Sequence, residues 1–450
     1  MRLLLTTHQF FPDFESGTEV LTLSVARELR SRGHDVEIMT GYPTRRELGD
    51  HERFDEYEFD GFRVHRFHHT SVPMGGQTSM IEGDYNNKLA AQYFAKLLSD
   101  FIPDIVHFFH FNRLGTGLIP AAVGAGIPAF FTPTDFWSVC ATGQLMLANG
   151  RSCSGPSRHA GNCVVHMASA RLRGKGMRFV SRIPVSLGDF LAKATCSGRM
   201  PCYPYADEIK ALGSRLEVNV ARLNLLTGIL VPTRMMEQLL LRYGVAPARM
   251  MLCGYGIEAV RYRSRIADAE QRVPLRIGFI GTLAPHKGCH VLLDAFKLLP
   301  SGVVSLNIFG RESDRPGYSV QLRELANHDP AIRFCGAFPN GEIGEVLADL
   351  DLLVVPSLWS ENTPLVIYAA HAAGCPVLGS DVPGIAESVR NGIDGLLFER
   401  GNAFALAEKI RELIEEPKRL DEMRANAMRP KSIAVYVDEL LTFWQRHRRE

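Results

Sequence analysis

The stretch Pro356–Asp381, PSLWSENTPLVIYAAHAAGCPVLGSD, decides the fold. The apolar run just before it, Leu352–Val355, has the length and composition of a parallel strand buried on both faces. A polar turn, Ser357–Thr363, leads into a helix whose first position is expected at Pro364, where a fixed φ is already helical and the missing N–H costs nothing. Thr363 or Asn362 is the expected cap. Helix N–H groups at the carboxyl edge of a parallel sheet attract phosphate, through the dipole and through their unpaired donors. Glu361 beside them suits a neutral polyol better than a phosphate, so the local expectation is a sugar joined to a phosphate. The plain alternative is an ordinary strand–helix unit with a polar loop.

Outward from this stretch the same alternation continues. Arg276–Gly281 (RIGFIG) reads as a strand, TLAPHKG as a loop, and the segment up to Leu299 as a helix. Strands are expected at Val304–Phe309, Ile332–Cys335 and Pro376–Leu378, with amphipathic helices over Ala403–Glu415 and Ile433–Arg446. GTLAPHKG has the look of a phosphate cradle, with Gly281 at a strand end and Lys287–Gly288 at a helix start. Its spacing is not that of a Walker loop.

The amino-terminal half repeats the pattern. Arg2–Thr7 and His34–Thr40 read as strands around a helix that ends near Gly33, with Gly17 at its start. The three spaced glycines of a dinucleotide fingerprint are absent. Further strands are expected at Ile105–Phe109, with His107 and His110 near its end, in GIPAFFTPTDFW, and at Leu223–Val231, with a helix over Met235–Tyr243. Asp135 falls where open α/β sheets place their ligands; it suits a sugar there, or simply caps the next segment. Strand–helix alternation in both halves predicts an α/β protein of two Rossmann-like, doubly wound domains facing across a cleft. The expected bounds are 1–262 and 273–430, with an insertion at about 140–200, a polar linker over Tyr262–Arg272, and a terminal helix in 431–450 returning to the first domain.

At 450 residues the chain has room for two cores, and 46% hydrophobic residues with a net charge of +1 give no electrostatic case for nucleic acid. No apolar run reaches spanning length, and Met1–Thr7 reads as a strand rather than a signal peptide, so a cytoplasmic protein is expected. Nine cysteines among apolar segments suit reduced thiols. Cys163 and His166 form a C-x-x-H pair in sequence that reads as loop. With Cys140 and Cys153 they are the candidate ligands of a structural zinc, against the simpler reading of buried free thiols. Basic residues among apolar ones over Arg171–Arg182 suit an anionic membrane face or a solvated surface.

Taken together, SGTE, GFIGTLAPHKG, PSLWSENTPLVIYAAHAAGCPVLGSD and VPGIAESVRNGIDGLLF resemble, in order, the motifs of glycosyltransferase family 4, retaining enzymes of the GT-B fold. The resemblance implies that Lys287 holds the donor diphosphate and that Glu361 contacts sugar hydroxyls. Gly281, Thr282 and the backbone of Asn362, Thr363, Pro364 and Leu365 would line the donor, and Gly17 would approach it from the first domain. Asp135 is the expected acceptor-side carboxylate. No cofactor is needed for catalysis on this reading. The implied partners are a nucleotide-sugar donor and a saccharide or lipid-linked acceptor; peripheral contact at the inner face of the membrane is an expectation of the basic stretch Arg171–Arg182 alone. Three positions depart from the family pattern. Ala369 stands where the second glutamate of the Glu-x7-Glu signature is expected, Thr282 where an arginine is common, and Thr134 where a histidine is. A lost ribose contact at 369 would weaken donor binding by about 1–3 kcal/mol if it is charge-assisted. The competing readings are a catalytically silent GT-B scaffold and a sugar-nucleotide epimerase.

Overall fold

The computed structural model describes the chain except for residues 71–73, 172–181, 201–202, 259–273, 313–315 and 448–450. The expected linker Tyr262–Arg272, the domain bounds at 262 and 273, and Arg173, Lys175 and Arg178 of the basic stretch lie outside the described residues. Two compact units emerge: Met1–Cys253 with Val437–Glu450, and Gly254–Tyr436.

In the second unit, six strands form one sheet: β9 (Leu275–Ile280), β10 (Val304–Phe309), β11 (Ile332–Gly336), β12 (Leu352–Val355), β13 (Val377–Ser380) and β14 (Gly395–Phe398). Every pairing is parallel and the order is β11-β10-β9-β12-β13-β14. A parallel sheet needs crossover helices on both faces, which is why β12 is buried at all four residues and reads as an uninterrupted apolar run. One face packs Ile277, Leu306, Val354 and Leu378 against helices Cys289–Phe296 and Ala403–Glu415; the other packs Leu353 and Val377 beneath helix Leu365–Ala372. Strand order reverses between β9 and β12, and at such a switch point the two loops diverge to opposite faces and leave a crevice.

The first unit carries an eight-stranded sheet of β1 (Arg2–Thr7), β2 (Asp35–Pro43), β3 (Phe54–Phe59), β4 (Phe62–His69), β5 (Ile105–Phe108), β6 (Ala129–Phe131), β7 (Gly228–Val231) and β8 (Met250–Leu252), in the order β3-β4-β2-β1-β5-β6-β7-β8. Only β3 runs antiparallel. Its reversal point lies between β1 and β5. Trp444, fully buried on helix Ile433–His447, donates from Nε1 to His107 Nδ1 at 3.2 Å, and His107 Nε2 meets Thr132 Oγ1 at 2.9 Å. With Nδ1 accepting, Nε2 carries the proton; burial pushes this imidazole down to about 3. His107 is therefore a neutral core residue.

Several expected elements shift. Leu223 ends the helix Ala206–Leu223, and the strand expected from it begins only at Gly228. Pro364 is the N-cap of the helix that starts at Leu365, and neither Thr363 nor Asn362 caps it; the Thr363 hydroxyl donates to the Asn362 carbonyl instead. The loop expected around Cys163 and His166 is the helix Gly161–Arg171.

Candidate functional site

At the switch point of the second unit, β9 runs out at Ile280 and the chain makes a single 3-10 turn, Pro285–Lys287. Gly288 then adopts a φ of 72° and opens the helix Cys289–Phe296. That left-handed geometry favours glycine, and packing demands it as well, since a Cβ at 288 would sit 1.8 Å from the Pro356 carbonyl oxygen. Pro356 begins the loop after β12. The amide of Leu358 donates to the His286 carbonyl at 2.7 Å, and the Arg400 guanidinium donates to the Leu358 carbonyl. The two loops are thus stitched into one rim.

Across that rim Lys287 Nζ donates to Glu361 Oε1 at 2.7 Å, and Ser357 Oγ donates to the same oxygen at 2.6 Å. The ammonium also lies 5.1 Å from the centroid of the Trp359 ring. Burial by itself would push the Glu361 carboxyl up. The Lys287 charge and hydrogen bonds from Lys287, Ser357 and Trp359 overcome it and hold the group below the usual glutamate range. The glutamate is a buried, ionised acceptor and Lys287, about a quarter exposed, is the cation that a solvent-borne anion would meet.

Beside this pair, Asn362 spends its side-chain amide on the Tyr255 hydroxyl at 3.0 Å. A Cβ on Gly384 would stand 1.9 Å from the Glu361 carbonyl oxygen, so the turn after β13 backs the loop directly. The helix then starts at Leu365, and Ile367 already bonds back to the Pro364 carbonyl. Leu365 and Val366 occupy the positions whose N–H groups an α-helix leaves without an internal acceptor. Of the four residues Asn362–Leu365, Pro364 has no N–H to offer, so the amides at this helix start without an internal acceptor are those of Leu365 and Val366. Thr282 is exposed in the loop after β9, and Ala369 lies on the buried face of the helix Leu365–Ala372.

The structure therefore brings Gly281, Thr282, Lys287, Glu361, Asn362, Thr363, Pro364 and Leu365 to one edge of one sheet. Ser357, Trp359, Tyr255, Gly384 and Arg400 support them, and sequence reasoning assigned them no role. Ser357 and Trp359 lay inside the deciding stretch, four and two residues before Glu361. Tyr255 and Arg400 are 106 and 39 residues away from it in the chain, beyond any local signal.

Gly17 and Asp135 belong to the first unit. Gly17 is the first residue of helix Gly17–Ser31, behind Ser16, whose amide donates to Glu19 Oε2 at 2.6 Å. Asp135 Oδ1 accepts from the Trp137 amide at 2.7 Å, so it does cap the following turn, and His110 Nε2 lies 3.0 Å from the same oxygen. The Asn112 amide donates to His110 Nδ1, which leaves the proton on Nε2, facing Asp135. Thr134 turns its hydroxyl to the Phe109 carbonyl. The His8 ring lies 4.1 Å from that of His110, and its Nδ1 is 3.6 Å from Glu19 Oε1. Burial raises the Glu19 carboxyl and lowers the His8 imidazole, so both favour their neutral forms. His8, His110 and Asp135 follow β1, β5 and β6, at the carboxyl edge of this sheet.

Cys140, Cys153, Cys163 and His166 line a single cavity with Thr142 and Met146. All three thiols are free. Burial, aided by Cys140 and Cys153, pushes the Cys163 thiol up to about 12. Among the described residues no three His, Cys, Asp or Glu side chains are grouped so as to hold a metal ion.

Residues 264–429 match the family described as glycosyl transferases group 1, and residues 16–188 match the glycosyl transferase 4-like domain. Among curated proteins, D-inositol 3-phosphate glycosyltransferase of Rhodococcus opacus is 29% identical over 207 residues, 43% of this chain and 46% of that protein. The amylovoran biosynthesis glycosyltransferase AmsK of Erwinia amylovora is 27% identical over 187 residues, 40% of this chain and 46% of that protein. The chain thus spans about half the length of these relatives. Among solved structures, Anabaena HepE in complex with UDP and glucose superposes with a TM-score of 0.63 at 15% identity, over 98% of this chain and 99% of its own. The sucrose-phosphate synthase of Thermosynechococcus elongatus gives 0.63 at 16%, over 99% and 98%. At such identities the likeness establishes the fold, which is GT-B, with two Rossmann-like domains.

Proposed function

We propose, for a chain that joins a glycosyl transferase 4-like domain to a glycosyl transferases group 1 domain, that it moves a sugar with retention from a nucleotide donor to a saccharide or lipid-linked acceptor, as in the assembly of cell-surface polysaccharide or glycan. The observation that carries the reading is the Lys287–Glu361 pair, 2.7 Å apart at the switch point and beside a helix N-terminus.

In such a transfer the bond from sugar C1 to the diphosphate oxygen breaks and C1 takes the acceptor oxygen. Negative charge grows on the departing diphosphate, so donors aimed there stabilise the transition state more than the ground state. Lys287 and the amides of Leu365 and Val366 are those donors. Lys287 is already ordered by Glu361, which Ser357 in turn holds, so little reorganisation accompanies donor binding. Glu361, ionised and fixed, accepts from sugar hydroxyls and selects their pattern. Asp135, oriented by His110 and the Trp137 amide, is the carboxylate proposed to receive the acceptor hydroxyl. The group proposed to act needs no metal ion or cofactor.

Ala369 favours a second reading. With no carboxylate there to meet a ribose, this reading makes the chain a silent GT-B protein that binds without turnover. A panel of UDP-, GDP- and ADP-sugars, headed by UDP-glucose because HepE is solved with UDP and glucose, separates the two. Turnover of any donor that is lost in both Lys287→Ala and Glu361→Gln, in folded protein, supports transfer. Binding without turnover across the panel supports the scaffold. Turnover surviving in both variants removes these residues from the site.

A further inference from the structure

A further cavity lies in the first unit, at the sheet edge opposite His8, His110 and Asp135. Side chains alternate along a strand, so β4 sets Arg63, His65 and Phe67 on one face, and β3 sets Phe54 and Glu56 opposite Phe67 and His65. The helix Lys88–Phe101 covers the carboxyl part of that face. Its Tyr93 stacks on Phe54 with centroids 4.7 Å apart and rings 4° from parallel, and lies 6.3 Å from the Phe67 ring. Toward the strand starts the face turns from apolar to charged and opens to solvent at Glu56 and Arg63. A cavity of about 260 Å³ results, floored by Glu37, Glu56, Arg63 and His65 and walled by the helix and Arg2. Small-ligand pockets begin at close to this size, about 300 Å³.

The charged groups are ordered and balanced. His65, buried, has Nε2 2.6 Å from Glu37 Oε2 and Nδ1 2.9 Å from Glu56 Oε1. Arg63 Nε donates to Glu56 Oε2 at 2.9 Å, and Lys96 Nζ to Asp100 Oδ2 at 2.8 Å. The Arg2 guanidinium stands 4.6 Å from the centroid of Phe101. With three cations and three carboxylates in its lining, the cavity has no net pull on an anion or a cation. These pairings leave bonding capacity over, because a guanidinium carries five N–H donors, an ammonium three, and a carboxylate about four acceptor sites. Donors and acceptors interleaved in this way suit a neutral molecule whose groups each donate and accept. A hydroxyl does both, and neighbouring hydroxyls on a ring match the two prongs of a carboxylate or a guanidinium. Tyr93 and Phe101 offer the C–H face of such a ring an apolar wall.

We propose that this cavity is an ancillary saccharide-binding site, which takes one residue of a neutral glycan chain. Arg2, Glu37 and Arg63 stand near the starts of β1, β2 and β4, which run parallel, whereas His8 and Asp135 follow strand ends. Arg2 and His8 are about 20 Å apart along β1, at roughly 3.3 Å per residue, so a sugar held here is not the one that meets Asp135. The proposal goes beyond the transfer reading and is independent of it, since a glycan bound at this edge neither requires nor implies turnover at Lys287 and Glu361.

The test is calorimetric titration of the full chain with maltohexaose, isomaltohexaose, cellohexaose, mannohexaose and chitohexaose, and with inorganic phosphate as the anionic comparison. Millimolar or tighter binding of at least one oligosaccharide is expected, weakened about tenfold by Arg63→Ala and by Lys96→Ala, each of which removes charged donors. Both side chains are exposed, so melting temperatures should not change. Three results overturn the proposal. One is no binding by any of the five oligosaccharides at millimolar concentration. Another is binding that both variants keep in full, or that Asp135→Asn abolishes while they do not, which places the glycan at the other edge. The third is phosphate that binds and displaces the oligosaccharide, with the same dependence on Arg63 and Lys96, which makes the cavity an anion site.

Discussion

Replacing Lys287 with methionine keeps the aliphatic stem and deletes the charge, and the cost should depend on pH in a direction the structure dictates. Glu361 is 4% exposed and its nearest cation is the ammonium being removed. Breaking a buried pair from one side costs about 3–5 kcal/mol, because the remaining charge is stranded. Hydrogen bonds from Ser357 and Trp359 survive, which places the expectation at the lower end, about 3 kcal/mol at pH 7. For a unit of the size of Gly254–Tyr436 that is roughly 6–12 °C in its melting transition. In the native protein the Glu361 carboxyl lies below its unfolded value, so its contribution is present above that value and is lost as pH falls through the folded one. Without Lys287, burial dominates and the folded carboxyl lies above the unfolded value. Its penalty is then absent in acid and appears as pH rises. The gap between the two proteins should be smallest in acid, below the lowered native value of Glu361, and widen toward neutrality. Calorimetry across that range measures it, and Glu361→Gln added to Lys287→Met should restore most of the loss by removing the stranded charge. A variant that melts like the native protein at pH 7, or a gap that narrows as pH rises, would refute the ion-pair account of this loop.

Other outcomes follow from the same geometry. Gly288→Ala forces a side chain into left-handed backbone and against the Pro356 carbonyl, so a loss of at least about 2 kcal/mol is expected by thermal melting, together with loss of donor binding by calorimetry. Trp444→Phe leaves His107 Nδ1 without its donor and opens space in a closed core; about 2–4 kcal/mol should be lost from the first unit by urea titration, with the second unit unmoved. Cys163 should resist alkylation at pH 8 in native, chelator-treated protein while unfolded protein reacts fully. Metal analysis of untreated protein tests the zinc reading of Cys140, Cys153, Cys163 and His166 directly, about one zinc per chain keeping it and stable zinc-free protein ending it.

The parallel strands were legible because burial on both faces writes itself as an apolar run: Arg2–Thr7 and Leu352–Val355 fall where the sequence places them. The hairpin β3–β4 was not read, since an edge strand of alternating Asp, Glu and aromatic residues looks like polar loop. Its signal was Asp60–Gly61, both at positive φ, the turn pair that joins such strands. In the site, Lys287 and Glu361 were visible as charges at strand ends. The Ser357 and Tyr255 contacts and the close approach of Gly384 depend on loops that only the tertiary fold brings together. Pro364 was placed one position too far into its helix, because a proline suits both the cap and the first turn. The helix Val185–Cys196 was obscured by its composition, small residues facing in and large ones facing out, which inverts the pattern by which a helix is recognised.

The last helix belongs mostly to the first unit, and this bears on how the protein is made. Val437, Leu440, Phe443 and Trp444 are all buried, and Trp444 closes on His107 of β5. Those residues leave the ribosome only after the whole of Gly254–Tyr436 has been synthesised. The core of the amino-terminal sheet therefore lacks these four side chains while the unit encoded before them is translated. Order of synthesis and order of completion are reversed in this chain, and the half-built first unit is the species a chaperone would have to guard.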